Sequence, residues 1–536
     1  MRAPLLPRDP DGLVRLVAPV VVIALAVAGG LLDAMARASW ATLGRDQGIF
    51  QYVAWAIGQG DVAYRDVRDV NGPVIPLVHL IFQGLGGTDE HRFRLLDLLV
   101  SSGVFLGAGA LVERARDVRV PLWAVATWAA LMAQYVVYGY WDTAQRESFL
   151  DWFLVLAIAL QFRRKSTILA GALAVVPCLG KPTYVLFLLP MLIVAATGAD
   201  RRREVGRFVL GGALGAAVPL LFLLWRGDLG AFVKISTHDV PTMYRFIWPR
   251  PASVILGMPG YSGLTAAAVA TSAGLAALVS FRLLPWRALP IVLAPLLGLG
   301  SVVLQAKGFP YHFHPVTLAT TFGWLVGLSA VGRAGRGAAV AGIAGALLVG
   351  WHANQLSRAA PWPGGQGWDR DRLVEFDRID YFPNGLRDAA AFVAEHTTAT
   401  DRVQTYGMDA YVLFLARRRS ATPYIYAYDL NADAALHGSF DEGGLRPTRA
   451  QAEAIEAMRA EHVADLDARL RRDPPRAFVF VDRSPLVSDP DAVADLRVHC
   501  PATSRWVEEH YRPAANYEGI RVWLRNDDAA VPGQIE

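Results

Sequence analysis

Only two cysteines occur in 536 residues, Cys178 inside an apolar run and Cys500 near the end, which excludes a disulfide framework. Charge is scarce as well. Asp, Glu, Lys and Arg make up 19% of the chain against 53% hydrophobic residues, and the mean hydropathy is +0.29. A soluble enzyme of this length rarely carries so few charges, so the composition points to a polytopic membrane protein. Lysine is nearly absent. Lys165, Lys181, Lys234 and Lys307 are the only four among 52 basic residues, a bias expected of a GC-rich bacterial genome. The formal net charge is +4, and the basic residues sit in short clusters between apolar runs, which gives nucleic acid no extended surface to bind. A phosphate-binding glycine loop, an HExxH pair and a nucleophile elbow are all missing, which argues against an ATP-driven pump. Internal repeats and low-complexity tracts are missing too.

Long apolar runs are what the chain does have. Segments able to span a bilayer, or nearly so, cover about 13–36, 93–113, 120–139, 147–162, 167–180, 182–198, 207–225, 260–281, 287–305, 312–331 and 337–353. The pair around Gly180-Lys181-Pro182 reads either as one kinked helix or as a broken pair. The run from Leu13 to about Met35 is too long for a signal-peptide core and is expected to stay as a targeting helix. Short basic loops recur at every second connection: Arg114, Arg116 and Arg119; Arg163, Arg164 and Lys165; Arg201 to Arg203; Arg282 and Arg287; Arg333 and Arg336. By the positive-inside rule these loops and the N-terminus are cytoplasmic, in a bacterial plasma membrane. The opposite, extracytoplasmic face then collects the loop after the first helix, Tyr138 to Glu147, the Lys181 turn, 225–258, 307–314 and the tail.

The expected fold is therefore mainly α, a polytopic transmembrane bundle of about eleven helices with a C-terminal extracytoplasmic α/β domain. The transmembrane part covers 1–353, a linker with PWPGGQG covers 354–376, and the soluble domain covers 377–536. In the tail, Asp401–Gly407, Thr422–Tyr428, Ala477–Asp482 and Gly519–Leu524 read as strands of a mainly parallel sheet. Helices are expected near 385–396, 408–418, 449–472 and 489–509.

Carboxylates beside a bilayer are costly and mark function by default. Asp46 follows the first apolar run and is expected at the mouth of a cavity, as the base that takes a proton from an attacking hydroxyl. The plainer reading is a helix cap on a juxtamembrane helix starting near Gln47, and both stay open. Tyr64, Arg65 and Asp66 lie in a stretch, with Asp61 and Asp69, whose turn formers and Arg–Asp pairs also suit a structural loop. Lys181 within an apolar region should face a cavity or an anion such as a lipid phosphate, or else snorkel from a helix end. In QAKGFPYHFHP, Lys307, Tyr311 and His312 offer donors and rings to a phosphate or a sugar. An interfacial aromatic belt explains the rings equally well. His312 and His314 cannot share one helix face, and no third metal ligand is evident. Asp142 and Glu147 sit at a helix entrance and either line the site or compensate the helix dipole. Arg245 lies in a loop, 238–250, that could cover the cavity.

Taken together, these residues resemble a family. A first helix, an outer loop with Asp, and the stretch Gly58, Tyr64, Arg65, Asp66, Asp69, Asn71, Gly72, Pro73 resemble the membrane-embedded GT-C glycosyltransferases. TAQRES near Glu147, GKPT at Lys181 and KGFPYHFHP are similar in style to the protein mannosyltransferase and aminoarabinose-transferase types, with arabinosyltransferases as cousins. The resemblance covers about residues 13–330. It implies a polyprenyl-phosphate sugar as donor, a glycan, lipid or protein acceptor, and inverting transfer on the extracytoplasmic face with Asp46 as base. Lys181, Lys307, Arg245, Tyr311 and His312 would bind the donor phosphate or sugar. Tyr64, Arg65, Asp66, Asp142 and Glu147 would line the acceptor side. Asp46-Gln47 stands where many members carry two acids, so a divalent metal has no support and no cofactor is assigned. The alternative function is a transporter or flippase of lipid-linked saccharides, which predicts paired broken helices where only the Lys181 break is evident. An assembly scaffold would need far fewer membrane helices.

Overall fold

The computed structural model describes residues 10–112, 120–198, 200–332, 373–487 and 489–526. The helix expected over 337–353 and most of the linker lie outside them, as do Arg114, Arg116, Arg119, Arg333 and Arg336. Two bodies emerge, a helical one up to 332 and a mixed α/β tail from 373.

The first apolar run forms α1 (Pro10–Ala28) and α2 (Leu31–Ser39), bent against each other by 52°. Gly30, at φ 92°, supplies the left-handed backbone that the bend requires. Then come α3 (Arg45–Gly58), α4 (Val74–Gly86), α5 (Glu90–Val112), α6 (Val120–Val136), α7 (Arg146–Arg163), α8 (Thr167–Gly180), α9 (Leu188–Ala196), α10 (Arg201–Arg226), α11 (Ser262–Ser280), α12 (Leu289–Gln305) and α13 (His314–Gly332). Among the described residues, α5, α10, α11 and the Trp286–Gln305 stretch containing α12 are each long and apolar enough to cross a membrane. The bent α1–α2 pair makes a fifth. Helix α4 is absent from the sequence expectation. Its 13 residues are too short to span a bilayer, so hydropathic length does not reveal it.

At Lys181 the chain turns extended (φ −153°, ψ 114°), so α8 ends and a 3₁₀ turn, Pro182–Phe187, leads into α9. The region is a broken pair and not one kinked helix. Pro182 has no amide hydrogen to continue the ladder, which is why the break falls here. Helices α8 and α10 approach closely along small residues. A Cβ on Gly211 would stand 1.9 Å from the Ile168 carbonyl oxygen, and one on Gly215 would stand 2.2 Å from that of Ala172.

The tail holds five strands: β1 (Arg402–Tyr406), β2 (Arg419–Ser420), β3 (Ala477–Val481), β4 (Tyr511–Tyr517) and β5 (Ile520–Arg525), in the order β2-β1-β3-β5-β4. Strands β2, β1 and β3 are parallel, but β5 runs antiparallel to both β3 and β4, so the sheet is mixed and not mainly parallel. Glu518-Gly519 makes a tight hairpin, with φ 54° and 89°, that returns β5 beside β4, and the assembled sheet then sets β5 antiparallel to β3. Strand β4 lies outside the expected strands, since Pro513 and a run in which Tyr511 alone is buried disguise an edge strand. The stretch 422–428 is not a strand, although its residues are buried. Tyr428 instead opens a short helix, Tyr428–Asn431. Among the helices, α14 (Pro383–His396) and α15 (Arg449–Arg472) fall where expected. The helix expected over 489–509 is two, α16 (Ala492–His499) and α17 (Pro501–His510), split where Pro501 starts a new first turn.

The tail packs directly on one end of the helical body. Asp61 sits 3.2 Å from Arg402 and from Arg419, and Arg68 bridges Asp239 (2.8 Å) and Asp429 (3.0 Å). Tyr381 donates to the Leu43 carbonyl at 2.6 Å, Tyr140 to the Phe376 carbonyl at 2.6 Å, and the Ser420 amide to the Tyr52 hydroxyl at 2.7 Å. Gly48 leaves room for Tyr411, whose Cγ would lie 2.5 Å from a Cβ there.

Candidate functional site

Beneath that junction lie two adjoining cavities. The first, about 280 Å³, is lined from the helical body by Asp46, Asn71, Trp141, Arg146 and Tyr311 and from the tail by Asp380, Met408, Tyr426 and Tyr428. The second, about 430 Å³, is lined by Gly180, Lys181, Arg245, Gln305, Lys307 and His312. Val70, Asn71, Arg146 and Tyr244 line both and form the partition.

Helix α3 begins at Arg45 after an uncapped Gly44, so Asp46 lies inside the first turn and no side chain caps the helix. Asp46 is therefore not the helix cap, and its carboxylate is left to the cavity. Burial pushes its pKa above the ordinary value. Arg146, Arg45 and the Tyr311 hydroxyl act in the other direction, and Glu147 adds to the rise. A carboxylate poised in this way suits proton abstraction. Gln47 explains why a second acid is missing. Its Nε2 stands 2.9 Å from the Trp141 carbonyl oxygen, 2.6 Å from that of Thr143 and 3.2 Å from that of Tyr140. A carboxylate there would face three carbonyl oxygens, so the position requires a donor.

Arg146 links the two cavities. It donates to Asn71 Oδ1 at 2.5 Å and to the Tyr311 hydroxyl at 3.3 Å, and its guanidinium lies 5.4 Å from the Tyr311 ring centre. Asn71 is held by Asp69 Oδ1, which accepts from its amide at 3.0 Å and from its side chain at 2.6 Å. Burial pushes Asp69 up to about 6. On the second-cavity side, Lys181 pairs with Glu147, and His312 Nε2 is 3.7 Å from the same Glu147 oxygen. Tyr311 and His312 are neighbours in sequence yet line different cavities, because the 3₁₀ turn Pro310–Phe313 points them apart. Lys307 donates to the carbonyls of Tyr244 (2.9 Å), Arg245 (3.3 Å) and Ile247, and so holds the 244–247 loop against the site. Burial pulls its pKa down to about 7. Arg245 itself lies over the Phe246 ring, 4.5 Å from its centre, with access to the second cavity.

The structure thus brings Asp46, Lys181, Lys307, Arg245, Tyr311 and His312 to the two cavities, with Glu147 behind Lys181. It does not bring Tyr64, Arg65 and Asp66 there. Tyr64 donates to the Asn71 carbonyl at 2.9 Å and packs on Phe232, and Arg65 and Asp66 pair with each other at 2.9 Å on the outside. Asp142 lines a third cavity. Asn71 belongs to the stretch that carries the family resemblance and Tyr244 to the 238–250 loop, whereas Tyr426 and Tyr428 line the cavity without having been expected there. For the tail tyrosines, the TPYIYAY run was a signal, but as a strand it pointed to a sheet. Among the described residues one group of three, Asp433, Asp495 and His499, lies close enough to share a cation. It sits in the tail, where His499 already pairs with Asp433 at 3.1 Å.

Several helices long and apolar enough to cross a membrane define a multi-pass membrane protein, with the break at Lys181 on the second cavity and the tail docked over the first. Its fold is the GT-C type that the sequence resemblance implied. ArnT from Cupriavidus metallidurans in the apo state matches at TM-score 0.52 and 13% identity, over 95% of this chain and 99% of that one. ArnT bound to undecaprenyl phosphate matches at 0.46 and 14%, over 96% and 99%. The oligosaccharyltransferase AglB from Archaeoglobus fulgidus, in complex with an inhibitory peptide and a dolichol-phosphate, matches at 0.47 and 12%, over 97% and 75%. No family model and no curated protein matches the chain.

Proposed function

We propose that the protein is a membrane glycosyltransferase that moves a sugar from a polyprenyl-phosphate donor to an acceptor hydroxyl on the extracytoplasmic face. The observation that carries this reading is the adjacency, across one wall, of a cavity that holds the Asp46 carboxylate and a cationic cavity. Asp46 faces the first, and Lys181, Lys307, Arg245 and His312 line the second. In this reading the lipid phosphate enters the second cavity, where Lys181 exchanges Glu147 for the phosphate and acts as a point charge. Arg146, at the partition, steadies the charge that develops on the departing phosphate. The acceptor enters the first cavity, and Asp46 takes its proton as the hydroxyl attacks the anomeric carbon from the face opposite the phosphate. The phosphate leaves with the lipid, so no nucleotide takes part in the step. Trp141, Tyr426 and Tyr428 provide ring faces for a sugar.

The test is transfer from a labelled polyprenyl-phosphate sugar in membranes carrying wild type or Asp46→Asn. The expected result is loss of turnover by two or more orders of magnitude, on the order of a general-base contribution, with donor binding kept. Wild-type turnover in a correctly inserted Asp46→Asn protein would overturn the assignment of Asp46.

A further inference from the structure

Three side chains of the tail converge on one point outside both cavities. Helix α16 carries Asp495 and His499 four residues apart, so the two share a face. The short helix Asp433–His437 brings Asp433 against that face. His499 Nε2 lies 3.1 Å from Asp433 Oδ2 and 3.7 Å from Asp495 Oδ1. Each of the three residues offers a ligand atom within 4.8 Å of the others. Metal–ligand bonds of about 2.1 Å set neighbouring ligand atoms roughly 3.0–3.4 Å apart in tetrahedral and octahedral sites. The cluster therefore needs only a small side-chain shift to close on an ion.

A second observation concerns Asp495 alone. It is 1% exposed, and its two oxygens are served unequally. Oδ2 accepts from the Tyr406 hydroxyl at 2.6 Å and from Asn431 Nδ2 at 3.2 Å. Oδ1, the oxygen turned towards His499, meets no hydrogen-bond donor among the described residues. Burial raises the Asp495 pKa, and Tyr406, Asn431 and His499 hold it down. Asp433 pushes it up further, a repulsion between carboxylates that a cation between them removes.

The competing occupant is a proton on His499. Burial and the Arg459 guanidinium, 3.5 Å from Nδ1, oppose an imidazolium, while Asp433 and Asp495 favour it, and the net shift is upward. A proton on Nε2 nevertheless leaves Asp495 Oδ1 at 3.7 Å, beyond hydrogen-bond reach. A metal ion bonds both carboxylates at once. We infer that Asp433, Asp495 and His499 bind one divalent transition cation of the zinc or manganese type. One imidazole nitrogen beside two carboxylate oxygens suits those ions, whereas calcium and magnesium sites are built from oxygen. The ion fastens α16 to the segment that follows Asn431. Tyr428 and Asn431 are the two ends of one short helix, and Tyr428 walls the first cavity, so the cation braces that wall from behind. The inference does not depend on the transfer reaction.

The experiment strips the full chain in detergent with a chelator and dialyses it against zinc, manganese, magnesium and calcium at equal concentration. Elemental mass spectrometry then counts the metal retained. Wild type is expected to keep one more zinc or manganese ion per chain than His499→Gln or Asp433→Asn, a difference that isolates this site from any other. The wild-type thermal midpoint should rise by several degrees with the metal, and those of the variants should not. Equal content in wild type and both variants would overturn the proposal, as would a wild type that keeps only magnesium or calcium. A midpoint that responds to His499 protonation with no metal held assigns the place to the proton and overturns it too. Should neither variant fold, manganese bound to wild type is read by electron spin echo spectroscopy. Modulation from an imidazole nitrogen is then expected, and its absence refutes the site.

Discussion

Arg45 Nε stands 2.8 Å from Asp409 Oδ1, and this buried pair ties the first turn of α3, which carries Asp46, to the tail. Asp380 adds a second contact to the same guanidinium at 3.1 Å. The helix turn that carries Asp46 is thus positioned from both bodies at once. Removing one partner of a buried pair leaves the other charge stranded, which costs more than the pair contributes. Asp409→Ala is expected to destabilise the protein by about 3 kcal/mol, at the lower end of such losses because Asp380 remains. Thermal unfolding in detergent measures this, and an unchanged midpoint would mean the tail is held by the other contacts alone.

In the proposed reaction Asp46 would set the acid limb. Burial raises its pKa, so the working anion is lost as pH falls through a value above the ordinary carboxylate range. Arg146 and the Tyr311 hydroxyl hold that value down. Arg146→Gln and Tyr311→Phe should therefore move the acid limb of kcat/KM to higher pH, in addition to any loss in rate. A shift to lower pH in either variant would contradict the assigned electrostatics.

The contact between the Asp69–Pro73 turn and the end of α8 tolerates no side chain at Gly72. A Cβ there would lie 2.0 Å from the Leu179 carbonyl oxygen, and backbone cannot move aside as a side-chain tip can. Gly72→Ala should lower the thermal midpoint and displace Asn71, and with it the Asn71–Arg146 hydrogen bond at the partition. Gly84, in α4, has nothing within 4 Å of its Cβ position. Gly84→Ala should stabilise by about 0.5–1 kcal/mol. Equal effects of the two substitutions would refute the steric argument.

Lys307 ties stability to pH. Burial lowers its pKa from 10.5 to about 7, so between those values the unfolded chain holds a proton that the folded chain has released. Stability from this group therefore rises with pH across that window. The charged form is also the one that holds three loop carbonyls. Lys307→Met should abolish this part of the pH slope and loosen the 244–247 loop, seen as faster proteolysis there. A slope that is the same in wild type and variant would remove Lys307 from the account.

Much of the helical body was legible because its signal is local. An apolar run beside a bilayer has one way to satisfy its backbone, so α1, α5, α10 and α11 could be read from hydropathy alone. The break at Lys181 was equally local, a consequence of Gly180 and Pro182. So were β1, β3 and β5, whose short apolar runs are bounded by turn formers. Edge strand β4 and the antiparallel return to β3 were not, because pairing partners are chosen by the assembled sheet.

The sequence by itself determined that the chain crosses a membrane, that Asp46, Lys181, Lys307, Tyr311 and His312 were residues to watch, and that a smaller α/β unit follows. Only the tertiary structure decided how these residues are divided. Tyr311 and His312 part into different cavities on one 3₁₀ turn, Asp142 leaves the reaction site for a cavity of its own, and Arg65 and Asp66 turn outward to each other. It also placed Tyr426 and Tyr428 above Asp46, across some 380 residues of chain. The physical reason is that periodicity and turn chemistry act over a few residues, whereas a cavity wall is built from whichever distant elements pack together.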